Sequence, residues 1–136
     1  MRLDDGRVFA DFVADVLSRR DIVMLSDGSA VRAYCYLADA VVGYLTIALD
    51  GTDATPYNVG NDEAALSVLE LAELMVGLYP ELGLKVIRRV RTDATYLPSP
   101  MVRGVPDTTA LRTLGWRPLV GPGEGFRRTI ASYADA

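Results

Sequence analysis

Of the fourteen basic residues in this 136-residue chain, only Lys85 is a lysine; the others are arginines. A guanidinium forks onto two oxygens of a phosphate in a way that an ammonium cannot. The chain's cations therefore point first to anion binding. Arg32 and Arg103 stand in turn-rich segments, Ser26-Asp27-Gly28-Ser29-Ala30-Val31-Arg32 and Arg103-Gly104-Val105-Pro106-Asp107. Arg7 falls in the first turn of an expected helix, whose free N–H groups also attract anions. There is no histidine and one cysteine, Cys35. That composition removes Ser-His-Asp and Cys-His catalysis and argues against a zinc or other transition-metal site.

Each residue also has a plainer reading. Arg32 can be a solvated strand arginine and Arg7 an exposed one. Asp107 can cap the helix that begins at Thr108-Thr109-Ala110. Asn58 can hydrogen-bond a ligand or hold its own turn. Leu25 can be core. Arg88, Arg89 and Arg91 read most simply as charges on an edge strand that discourage edge pairing.

The elements that would position these residues follow from periodicity. Asp5 can open a helix with Phe9, Phe12, Val13, Val16 and Leu17 as its apolar stripe, ending near Arg19 and Arg20 where the helix dipole favours cations. Residues 22–25 read as a strand closed by the turn Ser26-Asp27-Gly28, and 31–36 as a second extended segment. Asp39 then caps a helix expected to bury Val42, Leu45, Ile47, Ala48 and Leu49, stopping at Asp50-Gly51. Residues 56–59 read as a third strand. Ser67 and Glu70 form a capping box for a helix that turns Val68, Leu71, Ala72, Met75 and Leu78 inward and stops before Pro80. A strand over 84–90, a short helix over 108–114 and a last helix over 123–133, with Phe126, Ile130 and Tyr133 on one face, complete the chain. The expected class is mixed α/β (α+β) with about five helices, short strands and small sheets.

Several segments, in order, resemble the sugar-nucleotide end of the extended short-chain dehydrogenase/reductase superfamily, the NAD-dependent epimerases, dehydratases and decarboxylases. Asp5-Gly6-Arg7-Val8 opens a helix. The stretch Ser26-Asp27-Gly28-Ser29-Ala30-Val31-Arg32-Ala33-Tyr34-Cys35-Tyr36-Leu37-Ala38-Asp39 is similar to the family's Gly-Asp-Gly-Ser-x-x-Arg-Ser-Phe-x-Tyr-Val-x-Asp. Tyr57-Asn58-Val59-Gly60-Asn61 resembles its Asn-(Ile/Leu)-Gly-Asn strand end, and Arg103 to Asp107 followed by Leu114-Gly115-Trp116-Arg117-Pro118 resembles its Arg-x-x-Pro-Asp and Leu-Gly-Trp-x-Pro. The resemblance covers nearly the whole chain, which is similar to UDP-glucuronate decarboxylases and dTDP-glucose 4,6-dehydratases.

The resemblance implies a substrate-binding set: Arg32 and Arg103 on the diphosphate or adjoining ribose, Asp107 on the ribose hydroxyls, Arg7 and Val8 on phosphate and base, Leu25 beside the base, and Asn58 at a strand end. Two departures matter. Arg103 and Asp107 are four apart where many members have three, and Leu25 stands where many carry Tyr or Phe. Leucine keeps apolar contact and loses ring stacking, about 1 kcal/mol on the aromatic-pair scale. Base, sugar and reaction type stay open.

The family's cofactor half is what the chain lacks. No Gly-x-Gly-x-x-Gly closes a strand and opens a helix. No Tyr-x-x-x-Lys occurs, since the residue four before Lys85 is Glu81. The expectation is a single sugar-nucleotide-binding domain over 1–136, the C-terminal substrate portion of a longer two-domain enzyme. It would lack the Rossmann half, have no cofactor of its own, and depend on NAD held elsewhere in the parent. Alone it would be inactive. Two alternatives stand beside this: an orphan module that senses or carries nucleotide sugars, and an association piece that self-associates through apolar surface.

The composition agrees with a small domain. Half of the chain is apolar and 24% is charged. Its apolar runs are too short to span a bilayer, and no basic-then-apolar leader opens it. A net charge of −4 argues against a nucleic-acid partner. A single cysteine rules out an internal disulfide and suits a reducing, cytoplasmic setting. The expected partners are a nucleotide-sugar ligand, the missing half and, as a possibility, further copies of the chain.

Overall fold

In a computed structural model, which describes residues 2–4, 6–89 and 101–134, five α-helices alternate with five short strands. Helix α1 (Val8–Leu17) is followed by β1 (Ile22–Met24), β2 (Val31–Ala33) and α2 (Leu37–Asp50). Then come β3 (Ala65–Ser67), α3 (Val68–Gly77), β4 (Val86–Arg88), β5 (Arg103–Gly104), α4 (Thr109–Thr113) and α5 (Pro122–Ala134). Among the described residues the strands make two small sheets: β1 with β4 in parallel, and a three-stranded sheet of order β3-β2-β5. The mixed α/β class with small sheets matches the sequence reading.

The core is built where the periodicity places it. Phe12, Val13 and Val16 of α1 meet Ile22 and Met24 of β1, Val68, Leu71, Ala72 and Met75 of α3, and Phe126 and Ile130 of α5. The capping box forms as read: the Glu70 amide donates to the Ser67 hydroxyl at 3.1 Å, and the Ser67 amide donates to the Glu70 carboxylate at 2.7 Å. These two bonds satisfy amide donors that the first helical turn leaves without intrahelical partners. The turn between β1 and β2 also forms as read. Gly28 has φ +80°, and a Cβ there would fall 2.9 Å from that of Leu69, so the turn packs directly on α3.

Four readings are corrected. Helix α2 does not bury the expected side: Val42, Leu45 and Leu49 are exposed, while Asp39 and Gly43 are buried. The contacts this chain offers α2 lie on its Gly43 side, where a Cβ would meet Val59 and Trp116 at 3.0 and 3.1 Å. Asp39 is not the cap of α2, which begins from Tyr36; its carboxylate lies inside the first turn and accepts the amides of Leu119 and Val120 at 3.1 and 2.8 Å. Residues 56–59 belong to neither sheet of the described residues; the Asn58 side chain bonds the Asp107 carbonyl at 2.9 Å instead. A strand that the pattern did not suggest, β3, pairs antiparallel with β2 instead, Arg32 opposite Leu66. Asp5 and Arg91 lie outside the described residues.

Candidate functional site

Strands β2 and β5 bring the two leading arginines onto neighbouring strands. In their parallel register Val31 pairs with Arg103 and Arg32 with Gly104. Successive residues of a strand point to opposite faces. The side chains of Arg32 and Arg103 therefore leave the sheet on opposite faces although their backbones adjoin.

Arg32 then crosses β5. Its Nη2 donates to the Met101 carbonyl at 2.9 Å and its Nη1 to the Val31 carbonyl at 2.7 Å. Its head thus reaches a residue two before Arg103 on the same segment. The crossing requires Gly104: a Cβ there would stand 3.3 Å from Arg32 Cδ and 2.6 Å from Met101 Sδ. Arg103 is exposed at the edge of the sheet.

Asp107 and Asn58 form the second cluster. The Asn58 amide donates to the Asp107 carbonyl at 2.9 Å, so Asn58 ties residues 56–60 to the segment after β5 rather than closing its own turn. The Asp107 carboxylate accepts the Thr109 amide at 2.9 Å and helps start α4, whose cap residue by geometry is Thr108. Hydrogen bonds from the side chain and backbone of Thr109 hold the Asp107 carboxyl below its usual range, so it is ionised at neutral pH.

A buttress stands behind this cluster. Arg112 donates to Asp62 at 2.5 Å, to Glu63 at 2.8 Å and to the Thr108 hydroxyl at 3.1 Å, and that hydroxyl donates to Asp62 at 2.8 Å. Burial pushes the Asp62 carboxyl up. The hydrogen bonds from Arg112 and Thr108 outweigh that effect and hold it below its ordinary value. Gly60 closes the arrangement against Pro106, whose Cγ lies 2.5 Å from where a Cβ would be.

The remaining expected residues sit elsewhere. Arg7 is at the N-terminus of α1 with its guanidinium 4.9 Å from the centre of the Phe9 ring. Val8 is half-buried and packs on the core. Leu25, just past β1, is 45% exposed, so the core reading of it fails and an apolar contact remains available there.

One residue the site reading passed over is Tyr34, inside the motif that carries Arg32. Among the described residues its hydroxyl is buried with no hydrogen-bond partner. Burial raises its pKa, and the nearby Arg32 charge partly offsets that. Its ring meets Phe9 and Phe126 edge-on at 6.3 and 5.7 Å. It lines a cleft of about 450 Å³ shared with Cys35, Tyr36, Val120, Arg128 and Ser132, a cleft that none of the expected ligand residues enters. The signal was the tyrosine's place two residues after Arg32, just past the end of β2. Among the described residues no cluster of His, Cys, Asp and Glu is suited to a metal, and no helix is long and apolar enough to cross a membrane.

Comparison with known proteins agrees with this architecture. The family model described as "NAD dependent epimerase/dehydratase family" matches residues 2–60. Among curated proteins the chain is 32% identical over 127 residues to UDP-glucuronic acid decarboxylase 5 of Arabidopsis thaliana, covering 93% of this chain and 35% of that protein. Among solved structures it superposes on the UDP-glucuronic acid 4-epimerase of Bacillus cereus, determined with UDP-glucuronic acid and NAD, with a TM-score of 0.78 at 15% identity. That match covers 96% of this chain and 40% of the epimerase. It also superposes on the UDP-glucose 4-epimerase of Thermotoga maritima, determined with UDP-glucose, with a TM-score of 0.77 at 23% identity, covering 95% and 40%. At these identities the structural likeness is one of fold. The chain spans about a third of the length of the curated relatives it matches.

Proposed function

We propose, since a model of the NAD-dependent epimerase/dehydratase family matches residues 2–60 and the chain is 32% identical to a UDP-glucuronic acid decarboxylase, that it belongs to that family and is the part of a sugar-nucleotide epimerase, dehydratase or decarboxylase that grips the nucleotide diphosphate. The single observation that carries the reading is the crossing of Arg32 over β5 to the Met101 carbonyl, which brings its guanidinium to the segment of Arg103 although the two side chains leave the sheet on opposite faces. On this reading Arg32 is the first donor to the diphosphate, and Arg103, exposed on the edge strand β5, joins it by turning its long side chain round that edge. Asp107, ionised and exposed at the start of α4, is the acceptor for ribose hydroxyls. Leu25, Val8 and Arg7 are the candidates for the base side, and Asn58 holds the Asp107 segment in place through its hydrogen bond.

The residues present do not fit a dinucleotide. Gly121, Gly123 and Gly125 lie at the start of α5, but no strand leads into that turn, and Gly125 packs against Tyr36, with 3.3 Å from a would-be Cβ to the ring. On this reading NAD is held outside these 136 residues, and no step of the reaction is assigned to this chain. Its contribution is positional: binding energy gathered at the diphosphate and ribose holds the sugar where the remainder of the enzyme can act on it.

Calorimetry tests the reading. UDP should bind the isolated chain more tightly than UMP, and uridine least, because the diphosphate supplies most of the contacts. Equal affinity for UDP and uridine would contradict it. The same preparation should show no turnover of UDP-glucuronic acid with NAD, and measurable turnover would overturn the assignment of this chain to binding alone.

A further inference from the structure

We infer that Arg112 is a positioning residue for the ribose acceptor: by clamping residues 62–63 to the start of α4, it fixes where Asp107 presents its carboxylate. The inference rests on the reading above and deepens it, because it names the contact that sets selectivity for a ribose over a deoxyribose.

Asp107 stands just before a helix with little stability of its own. Helix α4 has five residues. A helix that short is not stable in isolation, so the point at which it starts is set by contacts with the rest of the chain. Thr108 occupies the cap position, yet its hydroxyl makes no capping bond. A threonine there ordinarily accepts an amide of the first turn. Here the Thr109 amide donates to the Asp107 carboxylate instead, at 2.9 Å. The Thr108 hydroxyl, fully buried, donates to Asp62 at 2.8 Å and accepts from Arg112 Nε at 3.1 Å.

Arg112 gathers this arrangement. Its guanidinium places each nitrogen on a different side chain: Nε on Thr108, Nη2 on Asp62 at 2.5 Å and Nη1 on Glu63 at 2.8 Å. A planar fork fixes these directions together, which a lysine ammonium cannot do. Two further contacts hold the other side of Asp107. Asn58 donates to its carbonyl at 2.9 Å, and Pro106 packs against Gly60. Asp107 is thus held at its own carbonyl by residue 58, at the preceding residue by residue 60 and at the following one by residue 62. Arg112 secures the last of these.

The same contacts manage a repulsion. Hydrogen bonds from the side chain and backbone of Thr109 hold the Asp107 carboxyl low, while the nearby Asp62 charge pushes it the other way. The ion pair with Arg112 sets a cation against that second carboxylate.

Stability alone does not account for the network. The side chains of Asp62 and Glu63 are 26% and 69% exposed, and ion pairs open to water contribute little to folding. What a three-way fork supplies is fixed geometry. A carboxylate can accept two neighbouring ribose hydroxyls together only where its own place is fixed.

Calorimetry of this chain with UDP, 2′-deoxy-UDP and UMP tests the inference. The wild type should prefer UDP to 2′-deoxy-UDP about tenfold, the effect of one bond to a charged acceptor. Arg112→Lys keeps the charge and loses the fork. It should bind UDP and 2′-deoxy-UDP alike, while the gain from UMP to UDP stays as in the wild type. Thr108→Val removes the buried hydroxyl at nearly constant volume and should have the same effect; Thr108→Ser keeps the hydroxyl and should retain the preference. If Arg112→Lys does not fold, the Thr108 pair decides alone. Asp107→Ala should abolish the preference, and adding Arg112→Lys to it should lower UDP affinity no further. A merely structural role would weaken all three nucleotides by one factor and leave their ratios unchanged. That result, or a wild-type preference retained in Arg112→Lys or Thr108→Val, overturns the inference and leaves the proposed function standing. A wild type that binds UDP and 2′-deoxy-UDP equally removes Asp107 from the ribose, and the inference falls with that part of the proposed function.

Discussion

Gly104 lies beneath the side chain of Arg32, which passes 3.3 Å from where a Cβ of residue 104 would stand. This relationship lets an arginine on β2 reach over β5 to the Met101 carbonyl and holds its guanidinium near the segment of Arg103.

Gly104→Ala should displace both Met101 Sδ and Arg32. Overpacking at a site where flexible side chains can yield is mild, about 1 kcal/mol of stability. Affinity for UDP should fall further than that loss would suggest, by about fivefold or more, because the guanidinium loses its fixed position. Unchanged UDP affinity with the same small stability loss would show that the crossing has no part in binding.

Asp39→Ala should be the more damaging change to the fold. It removes the buried carboxylate that the part-buried amides of Leu119 and Val120 share as acceptor. Hydrogen bonds to a charged group contribute about 1.5–3 kcal/mol, so a loss of about 3 kcal/mol is expected in urea unfolding. A loss below about 1 kcal/mol would mean that the 119–120 turn holds without it.

Asp62 predicts a pH dependence with a defined sign. Its folded-state value is below the ordinary 3.8, so its stabilisation is present above the unfolded value and is lost as pH falls through the folded one. The difference in melting temperature between the wild type and Asp62→Asn should therefore stay constant from pH 5 to 8, begin to shrink below about pH 4 and vanish only below the depressed folded value. A difference that persists undiminished into strong acid would show that Arg112 and Thr108 do not depend on the carboxylate charge.

The sequence made some of this legible and hid the rest for physical reasons. The capping box of Ser67 and Glu70, the stripe of α1 and the Gly28 turn are local, and local chemistry reads directly. The stripe of α2 was seen as well, but hydropathy does not say which side of a helix its neighbours cover, and among the described residues this stripe is exposed. Residues 56–59 likewise read as a strand from local pattern, while sheet membership depends on pairing, and among the described residues they join neither sheet. Strand β3 is three residues, Ala65-Leu66-Ser67, with no β-branched side chain, and it exists because β2 offers it a ladder. The candidate site residues were found by motif. What no pattern could supply was the register that places Arg32 opposite Gly104, and with it the opposite facing of the two arginines. The bond from Asn58 to Asp107 was equally out of reach, since it joins residues 49 apart.

The most direct test is UDP titration of the wild type, Arg32→Ala, Arg103→Ala and the double variant, each first checked for an unchanged melting temperature. Charge-assisted bonds to phosphate are each worth about 1.5–3 kcal/mol, so each single variant should lose about tenfold to a hundredfold in affinity, and the double variant should bind UDP no better than the wild type binds uridine. If both single variants bind UDP as the wild type does, the two arginines hold no phosphate.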